Sequence, residues 1–156
     1  MTQHNYRLRL MEPQDYNLLL KTETDPKNRE YSTLGEFPDE EMLKAFLYSE
    51  HNLQKFGQLR QVIDSDLGAV GFIDVYGADF EKMDCGIGIY VDKEFRRKGA
   101  ACKALELIAA QLKTLGFKAV YAEVKATNSI SCLLFIKAGY NAWSGDNGTM
   151  KFILTL

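Results

Sequence analysis

A short basic segment at the start of a long helix is the part of this sequence best suited to binding an anion. Its residues are Arg96, Arg97, Lys98, Gly99, Ala100 and Ala101. Glycine and small side chains let a ligand approach the backbone N–H groups that stay unpaired in the first turn of a helix. Because the helix dipole disfavours cations at this end, a bound anion would resolve the conflict. The pattern predicts a phosphate or pyrophosphate site, and the alternative interpretation is a solvated basic turn.

Two widespread phosphate-binding loops do not fit the sequence. A dinucleotide fingerprint that began at Gly86 would need glycine at position 91, where the chain has Val91. The pattern of glycine, four residues and Gly-Lys-Ser/Thr does not occur either. The predicted anion site must therefore have another architecture.

The elements beside the basic segment are predicted to be a strand and an amphipathic helix. Before it, Cys85, Ile87, Ile89 and Val91 alternate with Gly86, Gly88 and Tyr90, which is the period of a strand. After it, apolar residues recur with helical spacing at Ala101, Leu105, Ile108, Leu112 and Leu115. The basic segment is thus expected at a strand-to-helix junction.

The other predicted strands cover residues 5–10, 59–64, 69–76, 119–124, 141–143 and 149–155. Further helices are predicted after Glu12, after Asp39 and from Asn128 or Ser129 to Gly139. Since the long helix joins the strand at 84–91 to the strand at 119–124, these two should run parallel with a right-handed crossover.

Two segments together resemble signatures of the GNAT superfamily of acyl-CoA-dependent N-acyltransferases. The basic segment is similar to the family's Arg/Gln-x-x-Gly-x-Gly/Ala signature, which is matched at Arg96, Gly99 and Ala101. The segment Ala126–Tyr140 is similar to the family's Asn-x-x-Ala/Ser-x-x-Leu-Tyr-x-Lys-x-Gly-Phe/Tyr element. The two lie in the family's order, with a predicted strand between them.

The resemblance implies an α+β fold. Its sheet is expected to be mixed but mostly antiparallel, with about six to seven strands flanked by about four helices. The fourth and fifth strands form its parallel pair, joined by the long helix. Residues 1–156 are expected to form a single acyl-CoA N-acyltransferase domain.

The resemblance also implies where acetyl-CoA binds. Backbone groups at the end of the central strand would pair with the pantetheine arm as an added strand, and one N–H would serve the thioester oxygen. N–H groups of the basic segment would bind the pyrophosphate, and residues of the second signature would lie along the cofactor. The implied cofactor-binding residues are Ile89, Tyr90, Val91, Arg96, Arg97, Lys98, Gly99, Ala100, Ala101, Asn128, Phe135 and Lys137.

The chain departs from the family pattern at the general base. Many members carry a glutamate early in the central strand, and the corresponding residue here is Gly86. Asp84 precedes it on the same strand face, and Asp74 is a carboxylate among apolar residues of the neighbouring strand. The hypothesis is that Asp84 or Asp74 accepts the amine proton through a water in the space left by Gly86. Alternatively, Asp84 only begins the strand at the solvent edge.

A second departure concerns the general acid. Phe135 replaces the tyrosine that usually protonates the CoA thiolate, and it has no proton to donate. One interpretation is that Tyr90, Tyr121 or Tyr140 substitutes. A second is that the thiolate leaves to water, and a third is that the protein binds CoA without efficient catalysis.

The two early helices form one wall of the acceptor site in the resembled family. The second is predicted to bury Met42, Ala45 and Phe46. Acidic residues around its start could attract a cationic amine, although such charge runs also occur on ordinary solvated surfaces. They are Glu36, Asp39, Glu40 and Glu41.

Composition limits the classes of partner. With 156 residues, 46% hydrophobic and 26% charged, the chain has the composition of a soluble globular domain. No long apolar run or secretory leader is present, so no membrane partner and a cytoplasmic location are expected. A net charge of −2 argues against a nucleic-acid partner. Three widely spaced cysteines and two histidines suggest neither a disulfide framework nor a metal site.

The function implied by the resemblance is transfer of an acetyl group from acetyl-CoA to a primary amine by direct attack in a ternary complex. The segment Leu67–Asp74 and the start of the chain look most like the branch that acetylates ribosomal-protein N-termini, diamines or polyamines. The acceptor would be a small amine or a peptide N-terminus. The alternative is a CoA-binding regulatory module, which Gly86 and Phe135 leave open. Trp143, Phe152 and Ile153 in the last hairpin would permit a homodimer or fill the core.

Overall fold

The computed structural model describes residues 4–27 and 38–156. The strands are β1 (Tyr6–Leu10), β2 (Leu59–Ser65), β3 (Gly68–Asp79), β4 (Asp84–Val91), β5 (Ala119–Lys125), β6 (Asn141–Asp146) and β7 (Thr149–Thr155). The α-helices of the described ranges are α1 (Tyr16–Thr24), α2 (Glu40–Tyr48), α3 (Leu53–Phe56), α4 (Ala100–Thr114) and α5 (Ser129–Lys137). Single 3-10 turns at Pro13–Asp15 and Lys93–Phe95 precede α1 and follow β4.

The strands form one sheet in the order β1-β2-β3-β4-β5-β7-β6. Every neighbouring pair is antiparallel except β4 and β5, which confirms the predicted mixed α+β fold. The prediction did not include α3, a single turn capped by Asn52 and ended by Gly57 at a φ of 69°. Four residues are too few to show a helical period.

The parallel pair is short. Pairing of β4 with β5 is confined to Asp84, Cys85 and Gly86 on β4. Beyond Gly86 the strand β4 continues to Val91, whereas β5 pairs along its whole length with β7. The two strands therefore separate in the middle of the sheet and leave a gap between them.

One face of the sheet, here called the α4 face, is covered by α4 and α5. The stripe Ala104, Leu105, Ile108 and Leu112 of α4 packs against Ile87 and other buried strand residues. Full burial of one such aliphatic side chain contributes about 1.5–3 kcal/mol. Leu115, predicted to continue this stripe, is 48% exposed because α4 ends at Thr114.

The other face, here called the α1 face, is covered by α1 and α2 over β1, β2 and β3. Leu43 and Leu47 of α2 are buried there against Phe72 of β3. The predicted buried face of α2 is wrong, since Met42 is 61% exposed. Neighbouring positions of this helix are apolar all along it, so the rotation of α2 is decided by packing against α1 and the sheet.

An ion cluster joins this helix layer to the sheet. Arg60 of β2 donates to both carboxylate oxygens of Asp74 on β3, at 2.7 and 2.8 Å, and to Glu23 of α1 at 2.6 Å. Its guanidinium lies between the rings of Phe46 and Phe72. Burial alone lowers the pKa of Arg60, but the two carboxylates more than offset this effect and raise it.

Cys85 lies under α4 and is 1% exposed. Burial, and secondarily the charge of Asp84, raise the pKa of its thiol from 9.0 to about 12. Between these values the unfolded thiol loses its proton while the folded thiol keeps it, so the unfolded state binds fewer protons. The free energy of unfolding is therefore expected to fall as pH rises above 9.

Replacing Cys85 with valine removes this titration and keeps a small apolar side chain. In urea unfolding between pH 8 and 11, C85V is expected to reduce the slope of unfolding free energy against pH by about 1.4 kcal/mol per pH unit. Cys132→Val, at a partly exposed position of α5, is the matched control. Equal slopes for C85V and C132V would contradict the prediction.

Candidate functional site

A cleft of about 160 Å³ occupies the gap where β4 and β5 separate. It is lined by Ile87, Gly88 and Ile89 of β4, by Glu123, Val124 and Lys125 of β5, and by the α5 cap Asn128 with Ser131 and Phe135 of that helix. We call it the gap cleft. It lies alongside the middle of β4, beyond the last residue of that strand that pairs with β5.

Backbone groups of β4 face this gap at alternate residues. The N–H of Asp92 donates to β3 at 2.8 Å. Because hydrogen-bonded pairs alternate in an antiparallel ladder, Tyr90 also directs its backbone groups to β3, whereas Ile89 and Val91 direct theirs to the gap. The carbonyl of Val91 accepts from Arg96 Nε at 2.8 Å. Of the three residues predicted to pair with a pantetheine arm, Ile89 and Val91 have the required direction and Tyr90 does not.

The basic segment forms a turn with two left-handed residues. Arg97 has a φ of 61° and Gly99 a φ of 82°. The first bond of α4 runs from the Lys103 N–H to the Gly99 carbonyl, so the N–H groups of Ala100 and Ala101 have no partner within the helix. Alternating backbone conformations of this kind form concave anion-binding nests. The left-handed conformation of Arg97 costs about 1–2 kcal/mol, and Gly99 avoids that cost.

The turn is held from two sides. The Arg96 guanidinium bonds the Val91 carbonyl and lies 6.0 Å from the ring centre of Tyr90, which ties the turn to the end of β4. The Tyr6 hydroxyl of β1 donates to the Lys98 carbonyl at 2.9 Å. In this geometry Arg96 positions the turn. The side chains of Arg97 and Lys98 are exposed, and Lys98 Nζ lies 5.6 Å from the ring centre of Phe95.

Residues of the second signature differ in their relation to the gap cleft. Asn128 caps α5 by accepting from the Ser131 N–H at 3.2 Å, and it lines the cleft. Phe135 is 2% exposed and lines the cleft, and the centre of its ring lies 5.0 Å from that of Tyr140 in an edge-to-face arrangement. Lys137 lies at the exposed end of α5, outside the cleft lining, where its charge suits the helix dipole.

The space above Gly86 is filled. A Cβ at this position would lie 2.4 Å from Cε2 of Tyr76, its cross-strand partner on β3. The expectation of room for a water there is therefore wrong, because the Tyr76 ring occupies that room. The open position is Gly88, where a Cβ would meet no atom within 4 Å.

The two carboxylates proposed as bases lie apart. Asp74 is opposite Gly88 on β3, but both of its oxygens accept from Arg60. Asp84 begins β4 and is still paired there with β5. The structure thus gives Asp74 an ion-pair partner and places Asp84 before the point where the strands separate.

The three tyrosines considered as proton donors also lie in different places. Tyr90 sits beside Arg96, and burial, followed by the charge of Asp92, raises its pKa. Tyr140 is 3% exposed, its hydroxyl has no partner among the described residues, and burial raises its pKa. Tyr121 stands on the α1 face of the sheet, where the centre of its ring is 5.9 Å from that of Trp143.

A second cleft, of about 240 Å³, lies on the α1 face over β4, β5, β6 and β7. We call it the face cleft, and its lining is Asp84, Tyr121, Ala122, Glu123, Trp143 and Lys151. Two carboxylates and two aromatic rings are suited to a cationic ligand. Sequence reasoning missed Glu123, whose signal was an acidic residue on the open face of the alternating segment AVYAEV.

Two of the four acidic residues predicted to attract an amine have local roles at the start of α2. Asp39 caps α2 by accepting from the Met42 N–H at 2.8 Å, and Glu40 pairs with Lys44. Glu36 lies outside the described residues. Within residues 4–27 and 38–156, no cluster of His, Cys, Asp or Glu could hold a metal ion. No helix of the same ranges is sufficiently long and apolar to cross a bilayer.

Comparison with known proteins agrees with this geometry. A family model described as an acetyltransferase (GNAT) domain matches residues 5–141. The fold is similar to that of spermidine N-acetyltransferase from Vibrio cholerae in complex with CoA and spermine, with a TM-score of 0.83, 16% identity and coverage of 96% of this chain and 95% of that one. It is also similar to a domain from Methanocaldococcus jannaschii, with a TM-score of 0.77, 18% identity and coverage of 99% and 100%. It is similar as well to an aminoglycoside acetyltransferase in complex with coenzyme A, with a TM-score of 0.77, 16% identity and coverage of 97% of this chain and 95% of that one. No curated protein sequence matches significantly.

Proposed function

Because the chain belongs to the GNAT acetyltransferase domain family, we propose that it is an N-acetyltransferase that moves an acetyl group from acetyl-CoA to a primary amine. The amine attacks the thioester directly in a ternary complex. One observation carries the proposal: the gap between β4 and β5 opens after Gly86 towards the end of β4, where Arg96 holds the turn whose unpaired N–H groups suit a pyrophosphate.

The residues of the gap fit acetyl-CoA as co-substrate. The N–H groups of Ala100 and Ala101 bind the pyrophosphate, and Arg97 and Lys98 add positive charge. Ile89 offers its N–H and carbonyl to the amides of the pantetheine arm, and Val91 offers its N–H, since its carbonyl already accepts from Arg96. A backbone N–H that donates to the thioester oxygen stabilises the transition state by about 3 kcal/mol.

The acceptor is proposed to be a small amine, a polyamine or a protein N-terminus. The face cleft supports a cationic acceptor, since Asp84 and Glu123 supply negative charge and Tyr121 and Trp143 supply aromatic surface. We also propose that the chain is a single acyltransferase domain and that it acts in the cytoplasm. A homodimer is also proposed. Phe152 is 1% exposed and belongs to the core, so the residue offered to a dimer contact is Trp143, which is 63% exposed.

The proposal is tested by thiol release from acetyl-CoA with a panel of amines that includes spermidine, a diamine and a peptide with a free N-terminus. Amine-dependent release is expected, together with a rise in melting temperature in acetyl-CoA. At a concentration of 100 Kd that ligand stabilises the fold by about 2.7 kcal/mol. A rise in melting temperature without release for any amine would favour the CoA-binding regulatory module instead.

A further inference from the structure

The missing glutamate at Gly86 has no substitute on β4 or β3. The ring of Tyr76 covers Gly86, the oxygens of Asp74 are engaged by Arg60, and Asp84 precedes the separation of the strands. A proton acceptor for an amine that reaches the gap must therefore come from another element.

Strand β5 supplies a carboxylate at the required place. Gly86 pairs with Tyr121, so Glu123, two residues further along, is the first residue of β5 beyond the separation that lies on the same face of the sheet as Tyr121. Across the gap stands Gly88, whose surface is open. Because Gly88 has no side chain, β4 leaves room there for a ligand to approach Glu123.

Glu123 also connects the two clefts. Among the residues that the structure describes, it alone lines both the gap cleft, where the thioester is proposed to lie, and the face cleft, where a cationic amine fits. Its side chain is 55% exposed and has one distant ion-pair contact, to Lys151 of β7 at 3.9 Å. The carboxylate can therefore reorient towards a ligand.

The groups that face Glu123 come from the adjacent strands β4 and β7 and from β3, one strand beyond β4. They are Tyr76 of β3, Asp84 of β4 and Lys151 of β7. Burial raises the pKa of Tyr76, and the charge of Glu123 is the second cause of that rise. The phenol that fills the space above Gly86 is thus close enough to sense the charge of this carboxylate.

We propose that Glu123 is the catalytic residue that accepts the proton of the attacking amine, in place of the glutamate absent at Gly86. This inference rests on the proposed function. The ammonium nitrogen of the bound amine first loses one proton to solvent, and its lone pair then forms a C–N bond with the thioester carbonyl carbon while the C–S bond breaks with its electron pair left on sulfur. The surplus proton on nitrogen passes to the Glu123 carboxylate and then to solvent, and the CoA thiolate takes a proton from water.

The test compares Glu123→Gln with Glu106→Gln, using the amine from the panel that the wild type acetylates fastest. Glu106 is a matched control, because it is an exposed glutamate paired with a lysine, Lys103, on α4. E123Q is expected to lower kcat by about 100-fold, since general acid–base catalysis contributes 10²–10⁴-fold. It is also expected to lose the acid limb of the pH profile and to keep the melting-temperature rise in CoA. E106Q is expected to match the wild type, and Glu123→Asp to retain part of the rate.

Each other outcome has a separate meaning. A wild type without amine-dependent thiol release overturns the proposed function and this inference with it. An active wild type with an equally active E123Q overturns only the role of Glu123. A higher KM with an unchanged kcat and pH profile would also overturn it, because that result describes a carboxylate that only binds the amine.

Discussion

The Gly99→Asp variant is expected to bind acetyl-CoA about 100-fold more weakly than the Gly99→Asn variant. The two variants differ by one charge at the start of α4, beside the N–H groups of Ala100 and Ala101. Both side chains are among those that tolerate the left-handed conformation, and a Cβ at this position meets no atom within 4 Å. Because juxtaposed like charges cost several kcal/mol, a carboxylate here should repel the pyrophosphate.

The measurement is isothermal titration of acetyl-CoA into each variant at fixed ionic strength. Added salt should reduce the difference between G99D and G99N, since exposed charges are screened over about 10 Å at 0.1 M. Melting temperatures without ligand should agree, because aspartate also suits the positive end of the helix dipole. Equal affinities of the two variants would place the pyrophosphate elsewhere.

Arg60→Met is expected to destabilise the fold by about 3 kcal/mol, a fall in melting temperature of about 10 °C. The Arg60 side chain is 16% exposed, and methionine would retain much of its contact with Phe46 and Phe72. The loss comes from Glu23 and Asp74, which would face each other without a cation. Breaking a buried ion pair from one side costs more than the pair contributes, because the remaining charges stay desolvated.

Urea unfolding of R60M and Lys55→Met provides the comparison. Lys55 pairs with Glu50 at 2.7 Å, but both side chains are more than half exposed, so K55M should cost less than 1 kcal/mol. Adding Glu23→Gln and Asp74→Asn to R60M should recover much of the loss, because no uncompensated carboxylate remains. A loss in R60M no greater than that in K55M would show that solvent already screens the cluster.

Local pattern was sufficient for most of the fold. The alternation in β4 and the period of α4 are repeated along many residues, and the length of α4 between two strands determined that β4 and β5 run parallel. The rotation of α2 was not predictable in this way. Leu43 and Leu47, and also Met42 and Phe46, lie at helical spacing, and only contact with α1 and Phe72 selects the first pair.

The same division applies to the site. By itself, the sequence located the turn at Arg96–Ala101 that is proposed to bind an anion, because backbone N–H groups at a helix start and a glycine with positive φ are local properties. Only the tertiary structure decided that Tyr76 covers Gly86, that Arg60 engages Asp74 and that Glu123 stands between two clefts. These contacts join strands whose register and point of separation depend on the packing of the whole sheet, which no local period records.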